Sequence, residues 1–82
     1  MTTNDCAYAL KELLLILVDE KDKFTVAVKE NSDGSPAFFI IVASKDIKRI
    51  IGVGGKMYRS LKTLICASLK NSTATLTVDI AS

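Results

Sequence analysis

The sequence contains no histidine and no tryptophan among its 82 residues. Lack of histidine removes the side chain most used as a general base near neutral pH and as a metal ligand. There are only two cysteines, Cys6 and Cys66, and they form neither a CxxC motif nor a Cys/His cluster. That spacing excludes a zinc site of the usual kind. The pair reads as free thiols of a reducing compartment, with a disulfide or a reactive thiol as the alternatives. No charged-then-apolar leader opens the chain, and the apolar run Leu13–Val18 falls far short of the roughly 20 residues of a membrane span. The expected location is cytoplasmic, with no membrane partner. Paired carboxylates in an apolar frame are also missing: Asp5, Asp19, Glu20 and Asp22 fall in caps and connections. The chain is therefore expected to be no enzyme, with no catalytic residue, no metal and no cofactor.

Acidic residues are scarce in one stretch, and that scarcity carries information. Residues 1–44 have a net charge of −3, residues 45–70 of +6, and residues 71–82 of −1. Within the basic block Asp46 is the single acid, against Lys45, Lys48, Arg49, Lys56, Arg59, Lys62 and Lys70. Such a block is the footprint of a polyanion-binding face. Taken alone it is equally the pattern of a solvated basic surface.

Periodicity places six elements. Asn4 or Asp5 caps a helix over about 6–18, preceded by a frayed 1–3. Ala7, Leu10, Leu14 and Leu17 form its stripe, and Leu13, Leu15, Ile16 and Val18 widen the apolar surface. Either the sheet covers this helix broadly or part of it meets another subunit. Phe24 to Lys29 alternates as a half-buried strand, the segment 31–36 is dense in turn formers, and Ala37–Ala43 is a buried strand closing a hairpin. Ser44 is the expected N-cap of a short helix over 45–51. A second helix begins near Gly55 or Lys56 and runs to about Leu69, with Met57, Leu61, Leu64, Ile65 and Ser68 on one side and Lys56, Arg59, Lys62 and Lys70 on the other. Thr73 to Ile80 alternates as a last strand, with Leu76, Val78 and Ile80 facing in.

Three of the four glycines fall in Gly52-Val53-Gly54-Gly55, between the two helical segments. A P-loop ending at Gly55-Lys56 requires Gly at position 50 and Ser or Thr at 57, where the chain has Ile50 and Met57. A dinucleotide GxGxxG starting at Gly52 also fails at Met57. The remaining motif is GxxG between two helices, a clamp for a four-nucleotide stretch of single-stranded backbone. Lys56 and Arg59 lie in the first two turns of the following helix, where cations oppose the helix dipole and a bound anion would offset the conflict.

The run from Ile50 through Gly52-Val53-Gly54-Gly55-Lys56 to Ile65 resembles the signature of KH domains. Over about 6–80 the chain is similar to the short bacterial stand-alone KH proteins of the KhpA type. The resemblance implies an α+β, type II (prokaryotic) KH fold of order α-β-β-α-α-β, with three helices packed on one face of a three-stranded sheet and a single KH domain over 1–82. It implies a small RNA chaperone or regulator whose partners are single-stranded RNA and a second KH-containing chain, in a homodimer or heterodimer. Gly52, Val53, Gly54 and Gly55 would form the clamp, and Lys56 would add a contact to phosphate. Lys48, Arg49 and Arg59 would line the rim of an apolar groove bordered by Ile47, Ile51 and the strand 73–80, with Lys70 at its far end. One departure from the family stands out: a basic residue is often found at one of the two middle loop positions, here Val53 and Gly54. A KH scaffold used mainly for dimerisation or docking is the alternative function.

Overall fold

In the computed structural model, which describes residues 2–81, the chain begins helical almost at once. The Thr2 hydroxyl accepts the Asp5 N–H at 3.1 Å, capping α1 (Thr3–Leu15). Thr2, not Asn4 or Asp5, is therefore the cap. Thr3 is helical rather than frayed, and Met1 lies outside the described residues. A turn at Lys21–Lys23 leads into β1 (Thr25–Glu30), and a tight turn joins it to β2 (Pro36–Val42). Next come a five-residue helix, α2 (Ile47–Ile51), a 3-10 turn at Val53–Gly55, α3 (Lys56–Leu69) and β3 (Thr75–Ile80). The architecture is α+β with a mixed sheet in the order β1-β2-β3.

β1 and β2 pair antiparallel, with Val26 opposite Ile40 and Val28 opposite Phe38. β3 returns parallel to the other edge of β2, with Leu76 opposite Phe38 and Val78 opposite Ile40. A parallel return needs a crossover, and α2, the glycine turn and α3 supply it. Side chains alternate across a strand, so Phe38, Ile40 and Val42 share one side of β2, and all three are fully buried. Leu10 and Leu14 from α1, Ile50 from α2, and Leu61 and Ile65 from α3 join them in one apolar cluster with Phe24 and Leu76.

Several boundaries differ from expectation for local reasons. α1 stops at Leu15, although Val18 is buried: the chain leaves the helix there and inserts Val18 into the core from a turn. β3 starts at Thr75 because the Asn71 side chain accepts both the N–H (2.9 Å) and the hydroxyl (2.7 Å) of Thr73, which holds that residue in a turn. Leu64 is exposed rather than packed, and the buried stripe of α3 is Leu61 and Ile65, with Met57, Tyr58, Cys66 and Leu69 at its borders. Ile80 is also half-exposed rather than facing in. The stripe Cys6, Leu10 and Leu14 of α1 is buried, whereas Leu13 is half-exposed and Ile16, just past its end, is 80% exposed.

Candidate nucleic-acid interface

The α2–α3 turn is built by a close approach that only glycine allows. Gly52 ends α2 at φ 79°, ψ 171°, and its N–H bonds back to the Lys48 carbonyl at 2.8 Å. A Cβ at this position would lie 2.8 Å from the Met57 Cβ and 2.9 Å from the Met57 nitrogen. Within the turn, the Gly55 N–H reaches the Gly52 carbonyl at 3.1 Å and the Lys56 N–H reaches the Val53 carbonyl. The N–H groups of Val53 and Gly54 have no hydrogen-bond partner among the described residues. Val53 stands at the apex with 88% of its surface exposed. The turn thus presents two open N–H groups beside an apolar tip, a narrower donor set than the sequence alone implies.

The surrounding cations fall into two classes. Lys48 and Lys56 make no ion pair or side-chain hydrogen bond among the described residues. Arg49 and Arg59 are both engaged. The Arg49 guanidinium lies 3.0 Å from an Asp19 carboxylate oxygen, and the hydrogen bond and charge of that carboxylate raise its already high pKa; it also donates to the Leu17 carbonyl at 3.3 Å. Arg59 donates from Nη1 to the Gly54 carbonyl at 2.8 Å. Part of the apparent conflict between Arg59 and the helix dipole is therefore met inside the fold, by a loop carbonyl.

Ile47, Lys48, Ile51, Gly52 and Val53 line an open hollow of about 370 Å³ beside the turn. A second hollow, of about 600 Å³, lies along the outer side of α3 and includes Lys56, Arg59, Ser60 and Thr63. The residues of the glycine turn, Ile47, Ile51, Lys48, Lys56 and Arg59 are thus brought together around the two hollows. Strand β3 packs near α2 but does not line the first hollow. Lys70 is not brought there either. It caps the opposite end of α3 at φ 52°, about 20 Å away at 1.5 Å per residue, and lines a separate depression with Lys62 and Cys66. Tyr58 is unavailable for base stacking, since its ring packs against the core and its hydroxyl donates to the Leu76 carbonyl.

One functional support was missed in the sequence. Asp46, rather than Ser44, sits at the N-cap position of α2, yet its side chain does not cap that helix. The Asp46 carboxylate is fully buried and accepts the N–H groups of Asp19 and Glu20, both at 3.0 Å. These two bonds, aided by Arg49, hold its pKa below the ordinary carboxylate value. A lone acid in a basic block is the signal that could have marked it, since burial among cations gives a carboxylate its partners. The result is a strut from the α1–β1 connection to the start of the helix that carries the glycine turn. Elsewhere, no group of three His, Cys, Asp or Glu side chains converges as metal ligands among the described residues, and no helix among them is long and apolar enough to cross a membrane. Compared with family models and with curated proteins, the chain matches none.

Proposed function

We propose that this chain is a non-catalytic RNA-binding domain of the type II KH kind, which holds single-stranded RNA by its backbone at Gly52–Gly55. The observation that carries the reading is the exposed GxxG turn between two helices, with two open N–H groups and the unpaired cations Lys48 and Lys56 beside it. Phosphates would meet the N–H groups and Lys56, and bases would lie against Ile47, Ile51 and Val53. Contacts of this kind position a strand and discriminate little among sequences. An RNA chaperone or regulator in a reducing cytosol suits such a site and the two free cysteines. The uncovered Leu13 and Ile16 favour a second reading, a scaffold that docks another KH-containing chain or a copy of itself.

The test is binding of a short single-stranded RNA pool across a salt series, with the V53D/G54D variant as control. Neither change meets a steric obstacle: Val53 is solvent-exposed, and a Cβ at Gly54 meets nothing within 4 Å, although its positive φ strains any side chain. At φ 62° Gly54 also lies in the left-handed region that Asp tolerates better than most residues. The expected result is saturable binding that weakens with salt at a log–log slope of about −2, from roughly three phosphate contacts on a single strand. The variant should lose binding while keeping a cooperative melt, its midpoint lowered by the strain of a side chain at the left-handed Gly54 position. Unchanged binding by the variant sinks the clamp.

A further inference from the structure

We infer that Arg59 is a positioning residue of the glycine turn, acting through the Gly54 carbonyl, and not one of the groups that hold phosphate. Three observations converge. Arg59 Nη1 donates to the Gly54 carbonyl at 2.8 Å, across five residues and onto the one turn glycine where a Cβ would meet nothing within 4 Å. The same Nη1 would lie 3.2 Å from a Cβ at Gly55, so the bare backbone at 55 makes room for the guanidinium as well as for its own φ of 78°. Finally, the turn's internal bonds, Gly55 N–H to Gly52 and Lys56 N–H to Val53, are short-range and poor in number. A 3-10 turn held by such bonds is weak by itself.

The chemistry follows from the geometry. A guanidinium donates in a fixed planar fork, and a carbonyl that accepts from a cation is held more firmly than one that accepts from a neutral group. Pinning the Gly54 carbonyl toward α3 fixes the Gly54–Gly55 peptide plane, which also carries the Gly55 N–H that closes the turn onto the Gly52 carbonyl. In this way one cation on the first turns of α3 helps to hold closed the turn on which the open N–H groups of Val53 and Gly54 stand. Lysine at this position keeps the charge and loses the fork. The role assigned to Arg59 in RNA binding rests on the clamp reading, but its role in ordering the turn does not.

The experiment therefore has two arms, with R59M and R59K compared with the unaltered chain. In the free protein, hydrogen exchange of the Gly55 and Lys56 N–H groups should accelerate roughly threefold to tenfold in both variants, the effect of one lost hydrogen bond. With RNA, both variants should bind several-fold more weakly, with the salt slope unchanged. Unaltered exchange in R59M overturns the inference. So does full affinity in R59K together with a slope lowered by about 0.7 in R59M, the signature of one lost phosphate contact. If the unaltered chain binds no RNA, the clamp reading falls, and the exchange arm still decides whether Arg59 orders the turn.

Discussion

Asp46 shows how far one side chain can act from its own helix. Its two oxygens accept from Asp19 and Glu20, while Arg49 sits 3.8 Å from one of them and bonds Asp19 as well. Removing the negative charge leaves two part-buried N–H groups facing a neutral amide that accepts with only one oxygen. D46N should therefore lower the thermal midpoint by several degrees. Its pH dependence has a definite sign. The carboxyl pKa is lower in the folded chain than in the unfolded one, so its stabilisation is present above the ordinary value of 3.8 and is lost as pH falls through the lowered one. Asp33 behaves alike, its pKa lowered by the Ser35 hydroxyl (2.6 Å) and N–H (3.0 Å). Unfolding curves between pH 6 and pH 2 should show a shallower acid decline in D46N than in the unaltered chain, with the Asp33 share remaining. Arg49, which the resemblance to KH domains implied would line the groove rim, is largely committed to this corner of the fold by its pairing with Asp19, which sequence spacing does not display.

At the scale of elements, legibility tracked how strongly the local chain constrains itself. α3 was readable at both ends, from the glycines that cannot continue a helix and the Asn-Ser exit. The hairpin was readable from its turn residues and the run 37–43. α1 was less so, because seven apolar residues within 10–18 fit several faces and only packing selects among them. Leu14 is fully buried, whereas Ile16 is 80% exposed two residues later. L14A should cost about 2–5 kcal/mol. I16A should stay within about 0.5 kcal/mol, as a surface change does. Chemical denaturation of the two variants measures both. Equal losses would mean that Ile16 is covered in solution, as in the docking reading. Leu64 on α3 was assigned to the wrong face for the same reason: Tyr58 and Cys66 take the border positions it was expected to share.

For the whole molecule, the readable part was the split of charge and the order of elements. The parallel pairing of β2 with β3 was not readable, since nothing in either strand encodes which edge the other will choose. That pairing brings the segment after Asn71 into the core, where Ala74 and Leu76 are buried at 1% and 3% exposure. A chain ended after Ser72 loses both residues and leaves one edge of β2 unpaired. It should show no cooperative melt by circular dichroism and, under the proposed function, no saturable RNA binding. A cooperative transition in that chain would mean that the crossover helices hold themselves on the hairpin.

The crossover also has a consequence in time. During synthesis, α1, the hairpin and the complete glycine turn leave the ribosome before the strand that fastens α2 and α3 to the sheet. Pairings between distant segments form late, because the loop between them must first be closed. The turn is thus the middle of a crossover whose return strand, Thr75–Ile80, is made last. Under the proposed function, a nascent chain carrying every residue of the motif but not this strand would lack the ordered site.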